Sequence, residues 1–195
     1  ASILVSGAFS TGKTTLLNAL LAHLPSRSLI AVAETFRELD VRQPGVARVV
    51  VPPFVRDGEE RITLAQAVNS LLTRTRPDVL VLGEITDHDE AREFLRAGNL
   101  GVRALATIHG NSAQAALVRL ADLAVRAGVP LRAVREQVAE AVDLVVHLAR
   151  EGRRRYVAEI VRVRGVDEAE RFRVETIYRA GISHDERLAR ILKPV

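Results

Sequence analysis

Gly7-Ala8-Phe9-Ser10-Thr11-Gly12-Lys13-Thr14 matches the pattern G-x-x-x-x-G-K-[ST] in full, and its residue types describe a phosphate-binding chemistry. The glycines let the backbone fold tightly, so that successive N–H groups turn inward toward phosphate oxygens. A helix beginning at the end of the loop adds the positive end of its dipole to that field. Lys13 is expected to reach the β- and γ-phosphates and the Thr14 hydroxyl to ligate Mg²⁺. The expected phosphate-binding set is Gly7, Ser10, Thr11, Gly12, Lys13, Thr14 and Thr15, with ATP and Mg²⁺ as the ligands. The flanks agree, since an apolar run precedes the loop and an amphipathic stretch follows it.

In an open α/β sheet, ligands sit beyond the carboxyl ends of the strands, so polar residues that end apolar runs carry information. Leu29–Ala33 runs into Glu34, Val79–Leu82 into Gly83-Glu84, and Ala104–Ile108 into His109. Two carboxylates and an imidazole would then share the rim occupied by the phosphate loop. Glu84 stands where such enzymes hold Mg²⁺ through water or orient the attacking water, the alternative being an exposed loop glutamate. Glu34 has the same prospect, although Thr35-Phe36-Arg37-Glu38 also fits a helix start in which acids favour the dipole. His109 fits either a hydrogen-bond donor to a γ-phosphate or an ordinary loop histidine. His23, His88, His147 and His184 have no comparable placement.

These residues need a scaffold, and the hydrophobic pattern supplies one. Ile3–Ser6, Leu29–Ala33, Val46–Val51, Val79–Leu82 and Ala104–Ile108 are predicted buried strands. Helical periodicity covers Thr14–Leu24, Ile62–Leu72, Asp89–Ala97 and Ser112–Ala127, with another helix starting at Pro130. Gly98 and Gly128 are predicted helix stops. Alternation of strands and helices argues for a mostly parallel sheet covered on both faces. After Ala141, Leu144–Leu148, Arg155–Val163 and Phe172–Tyr178 are predicted antiparallel strands. The expected fold class is α/β, a RecA-like P-loop core over residues 1–148 with a small β-rich C-terminal appendage over 149–195.

With 195 residues, 48% hydrophobic and 27% charged, the chain has the size of one globular domain. It has no cysteine, which excludes a disulfide framework, a thiolate zinc site and a cysteine nucleophile. Its apolar runs fall far short of the roughly 20 residues of a membrane span, and its start lacks the marks of a signal peptide. A cytoplasmic protein with no direct membrane insertion is expected. A formal charge of +4 spread over the chain does not mark a nucleic-acid surface, so nucleic acid is not an expected partner. All but two of the 28 basic residues are arginine, the exceptions being Lys13 and Lys193. A lysine in the glycine-rich turn of so arginine-rich a chain points to the need for a compact point charge.

Beyond the phosphate loop, four segments give the chain a specific resemblance. They are Ala33-Glu34-Thr35-Phe36-Arg37-Glu38-Leu39, Arg74-Thr75-Arg76-Pro77-Asp78 leading into Gly83-Glu84, Ala106-Thr107-Ile108-His109-Gly110-Asn111-Ser112, and Ala141–Leu148. Together they resemble the type II/type IV secretion ATPase family, with the Tad/Flp pilus-assembly and conjugation-associated branches most similar. The resemblance implies that Glu34 lies in the acidic "Asp box" and acts on the attacking water. It implies that Glu84 is the Walker B acid, and His109 the "His box" residue near the γ-phosphate. Arg48, Arg74 and Arg76 would be family arginines completing a site in cis or between subunits. The resemblance also implies a homo-hexameric ring, docked beneath an inner-membrane platform protein at the inner face of the cell membrane, and an ATP-hydrolysing motor for pilus assembly or secretion.

The sequence departs from that pattern in places. The family's Glu-Asp pair is Glu34-Thr35 here, and an arginine expected shortly after Arg48 falls at Pro52-Pro53, near Arg56. The family's N-terminal domain is expected to be absent, leaving an isolated motor domain. A DNA-handling or conjugation-associated RecA-like ATPase, favoured by Arg153, Arg154 and Arg155, and a non-hydrolysing nucleotide-responsive scaffold remain as alternatives.

Overall fold

The computed structural model describes residues 1–52, 62–125 and 129–181. Expectations that fall on Pro53, Arg56, 126–128 and His184 lie outside those residues. The strands are β1 (Ile3–Gly7), β2 (Ile30–Glu34), β3 (Val46–Val50), β4 (Val79–Ile85), β5 (Arg103–Ile108), β6 (Leu144–Glu151), β7 (Arg154–Val166) and β8 (Phe172–Arg179). They form one sheet in the order β3-β2-β4-β5-β1-β6-β7-β8. The first six are parallel, and β7 and β8 extend the sheet antiparallel to their neighbours. Between them run α1 (Lys13–Ala22), α2 (Leu64–Thr75), α3 (His88–Asn99), α4 (Ala113–Ala124) and α5 (Leu131–Ala141). This is the expected α/β architecture.

Strand alternation divides the core in two. β2 turns Ala31 and Ala33 to one face and Ile30 and Val32 to the other, and β4 does the same with Leu80 and Leu82 against Val79 and Val81. The first face is covered by α2, α3, α4 and α5, the second by α1 through fully buried Leu17 and Leu21. The C-terminal strands continue the same structure rather than standing apart. β6 pairs with β1, runs through the boundary expected after residue 148, and Val161, Val163 and Phe172 belong to the larger core.

Helix starts follow local chemistry more closely than the apolar stripe. At α2 the Thr63 hydroxyl accepts from the Gln66 amide while the Thr63 amide donates to the Gln66 side chain. This box fixes the start at Leu64. Ile62, expected inside the helix, is therefore left outside it and exposed, and the buried stripe is Leu64, Ala67, Val68, Leu71 and Leu72. Asp87 and Glu90 form the same box at α3. The predicted stop at Gly98 is a second correction, because Gly98 lies within α3. A Cβ there would stand 2.8 Å from Ala141 Cβ and 3.0 Å from Ala141 Cα, so its lack of a side chain is what lets α3 and α5 touch.

This contact reverses a familiar sign. Alanine for glycine inside an open helix stabilises by about 1 kcal/mol. Gly98→Ala is instead expected to destabilise the fold by about 1–3 kcal/mol through overpacking against α5. Urea unfolding of the two chains checks this, and a stabilised variant would show that the helices separate at little cost.

Candidate functional site

β1 ends at Gly7, where a Cβ would come within 2.8 Å of the Leu148 carbonyl oxygen on the neighbouring strand. Gly12 turns the chain into α1 through the left-handed conformation at φ 96°. No side chain caps α1, and no acid stands in its first turn. By contrast α2, α3 and α4 are closed by Thr63, Asp87 and Ser112. The amides at the start of α1 are therefore left to an outside acceptor, which is the condition for binding an anion. Thr11 is the exception among the expected phosphate ligands. It is buried, and its hydroxyl donates to Ala8 O at 2.9 Å, closing the loop on itself.

The loop opens on a cavity of about 700 Å³ at the carboxyl ends of the strands, lined by Ser10, Thr14, Thr15, Glu34, Glu84 and His109 among others. Lys13 Nζ lies 3.3 Å from the carbonyl oxygens of Gly7 and Ala8, 3.4 Å from His109 Nδ1 and 3.7 Å from Glu84 Oε1. Burial pushes the Lys13 ammonium below its ordinary range, and the Glu84 carboxylate opposes that shift. His109 Nε2 is 3.0 Å from Glu84 Oε1. A neutral His109 that donates from Nε2 to Glu84 and accepts from Lys13 at Nδ1 satisfies both contacts. The His109 ring also packs against Phe9, with centroids 4.1 Å apart and the rings tilted by 47°. Glu84 reaches this position through a bulge. The β4–β5 register shifts between Leu82 and Ile85, so one extra β4 residue re-aims the strand end.

Thr14 Oγ1 donates to Glu38 Oε2 at 3.2 Å, and Glu84 faces the same cavity. These are oxygen donors only, a set that fits a hard cation such as Mg²⁺, whose other ligands are waters and phosphate oxygens. Among the described residues no group of three or more His, Cys, Asp and Glu is placed to hold a metal alone.

Glu34 occupies a different position from the one expected of a group free to act on water. It is 2% exposed, and its carboxylate is fully engaged. Oε2 accepts from the amides of Glu38 at 2.9 Å and Leu39 at 3.0 Å, and Oε1 accepts from Arg48 Nη1 at 2.7 Å. Arg48 also donates to Leu39 O at 2.8 Å. Arg48 thus belongs to the site by holding Glu34 and the loop that follows it. Glu84, with a side chain 37% exposed, is open to the cavity, as is Glu38.

Arg74 and Arg76 are not brought to this cavity. They are exposed at the end of α2, just before β4 begins, whereas the cavity lies beyond the end of β4. The strand is seven residues long, roughly 20 Å, and an arginine cannot span it. Glu38 and Arg155, neither of them an expected residue of this site, also reach the cavity. Glu38 was within the quoted acidic segment, and only the loop geometry shows that it meets Thr14. Arg155 figures in the sequence only with Arg153 and Arg154, as support for a DNA-handling alternative, and nothing local marks it for this cavity.

The sheet order and the loop define a RecA-like α/β core of the P-loop class. The profile described as "Type II/IV secretion system protein" matches residues 1–183, and the chain belongs to that family. It is 32% identical over 169 residues to "Conjugal transfer protein TrbB" of Rhizobium radiobacter, a match covering 84% of this chain and 49% of the relative. The VirB11 ATPase of the Brucella suis type IV secretion system, solved in complex with sulphate, is similar at 26% identity with a TM-score of 0.72, covering 82% of this chain and 47% of that one. The pilus retraction motor PilT with bound ADP shares the fold at 21% identity, with a TM-score of 0.65 over 91% of this chain and 48% of that one. The chain spans about half the length of each of these three proteins. Among the described residues no helix is long and apolar enough to cross a membrane.

The Glu34–Arg48 pair makes a stability test. Arg48→Ala would leave a buried carboxylate without its cation, and the expected loss is about 3 kcal/mol or more in chemical unfolding. A loss below about 1 kcal/mol would mean that Glu34 finds water or another partner.

Proposed function

We propose that this chain is the motor domain of an ATP hydrolase that powers a pilus-assembly, secretion or conjugal-transfer machine. The observation that carries the proposal is the convergence of Lys13, Glu84 and His109 on one cavity beside the uncapped start of α1. That arrangement places a cation, a carboxylate and a polar ring where a terminal phosphate bound to the α1 amides would lie. The likeness to TrbB favours the conjugal branch of the family.

In this proposal the phosphates displace the Lys13 contacts with Glu84 and His109, and Lys13 moves its charge onto the β- and γ-oxygens. The ordinary ligand of such a site is MgATP; Thr14 would offer its hydroxyl oxygen to the cation, which would neutralise charge developing on the phosphate oxygens. Glu84, released from Lys13, orients and polarises the attacking water. His109 donates from Nε2 to Glu84 and keeps that carboxylate in place beside the γ-phosphate. Glu34 acts through position, by fixing the 35–40 loop and the Glu38 carboxylate at the cavity wall. Arg74 and Arg76 are assigned to a neighbouring subunit's site, because they lie at the opposite end of β4 from this one. That assignment fits a homo-hexameric ring, located in the cytoplasm against an inner-membrane platform protein, whose interfaces open and close as ATP and ADP bind them differently.

Two variants separate binding from chemistry. Lys13→Ala is expected to abolish ATP binding measured by calorimetry. Glu84→Gln is expected to keep ATP affinity within a few-fold and lower turnover by about 100-fold or more, the scale of a positioned general base. Wild-type turnover in Glu84→Gln would remove Glu84 from the water-activating role, and unchanged binding in Lys13→Ala would remove the loop from nucleotide recognition.

A further inference from the structure

Arg155 sits on β7 just after the turn at Gly152, opposite Arg150 on β6. It is 145 positions from Ser10 in sequence, yet its Nε donates to Ser10 O at 2.9 Å. Its stem crosses the start of α1, with Cδ 3.7 Å from where a Gly12 Cβ would be. It lines the same cavity as Lys13, Thr14 and Glu84. The bond to Ser10 uses one guanidinium nitrogen. Among the described residues the two terminal nitrogens have no hydrogen-bond partner, so a charged fork stands at the cavity wall with its donors unspent.

The sheet order says which part of a nucleotide that fork would meet, on the reading that a nucleoside triphosphate binds here. The loop leaves β1, with β5 and β4 on one side and β6 and β7 on the other. Lys13, Glu84 and His109 converge on the β4–β5 side. A triphosphate whose terminal group lies among them must run back over the start of α1, bringing its α-phosphate and nucleoside toward β6 and β7. Arg155 stands there.

We propose that Arg155 is a nucleotide-binding residue, supplied in cis by the β6–β7 hairpin, whose terminal nitrogens bind the α-phosphate while its Nε stays on Ser10. A guanidinium presents its donors in a rigid fork suited to two phosphate oxygens at once, which an exposed lysine would not match. Ser10 adopts the left-handed conformation at φ 58°, uncommon for a residue with a Cβ. The Arg155 bond to its carbonyl holds that turn and places the fork in one step. Because β7 continues into β8 and the main core, the same side chain joins the bound nucleotide to the C-terminal strands.

Glutamine separates the two duties of the side chain. Its Nε2 follows Cδ as the arginine Nε does, so Arg155→Gln retains a donor to Ser10 O and removes the terminal nitrogens and the charge. Calorimetry with MgADP and with a magnesium-bound non-hydrolysable ATP analogue is run on the wild-type chain, Arg155→Gln and Lys13→Ala. Arg155→Gln is expected to lose about 10-fold to 100-fold in affinity for both nucleotides by the same factor, with an unchanged melting temperature without ligand. Wild-type affinity in Arg155→Gln would overturn the proposal and leave Arg155 as a tie to the loop. Loss for the triphosphate analogue alone would overturn it too, by putting the contact at the γ-phosphate. A wild-type chain that binds neither nucleotide would instead bring down the nucleotide-site reading itself, and this inference with it. If Lys13→Ala loses binding and Arg155→Gln does not, only the Arg155 assignment falls.

Discussion

A carboxylate taken out of water must be paired and hydrogen-bonded, and the Glu34 carboxylate at the end of β2 imposes that demand on everything around it. Its partners are the Arg48 guanidinium one strand away and the amides of Glu38 and Leu39 in the following loop. Meeting them folds residues 35–40 back toward α1. There Asn18 receives the Asp40 amide at 2.8 Å and donates to Glu38 O at 3.1 Å, and Thr14 meets the Glu38 side chain. One buried charge thereby ties the second strand to the first helix and builds a wall of the cavity. Leu39 closes the arrangement by packing into the α1 side of the core.

The opposite wall is left unsatisfied, and this asymmetry gives the site its chemistry. α1 is the helix whose amides begin behind a left-handed glycine with no capping side chain. Lys13, partly stripped of water, rests on two backbone carbonyls, Glu84 and His109. Those partners neutralise it without fully satisfying it, since its contacts lie between 3.3 and 3.7 Å. A phosphate offers shorter, charge-assisted bonds in their place. Exchanging Glu84 for phosphate on Lys13 would also free the carboxylate at the moment a substrate arrives. Phe9, 80% exposed beside the His109 ring, marks the open mouth of the cavity.

Much of this was legible in the sequence, because it rests on local rules. Strand, glycine-rich turn and amphipathic helix follow from residues 3–24, and Glu34, Glu84 and His109 each stand where an apolar run ends. The α2 start and Gly98 differ from expectation for separate reasons: at α2 the hydrophobic period runs past the capping box, and at Gly98 a glycine that fits a helix stop serves a contact with α5. Thr63 and Gln66 set the start of α2 by reciprocal hydrogen bonds, and Ala141, 43 residues further on, decides why Gly98 is a glycine. The engagement of Glu34 by Arg48 needs the β2–β3 pairing, which places Val32 opposite Arg48 and Glu34 opposite Val50. Arg155 needs the whole sheet, since β7 reaches the loop only because β6 pairs with β1. Contacts that depend on strand order are invisible to any window of sequence. The acidic and histidine positions stand out in the sequence because each sits at the end of its own strand.

In the proposed function, phosphate groups are held by the free amides at the start of α1, facing carboxylates carried by neighbouring strand ends. Hydrogen–deuterium exchange of the wild-type chain with and without MgADP tests it most directly. Slowed exchange is expected to concentrate in residues 8–16, with smaller protection near Glu84 and His109, and little change along β3 or at the end of α2 around Arg74. Unchanged exchange in residues 8–16 at a saturating nucleotide concentration, or protection centred elsewhere, would contradict it.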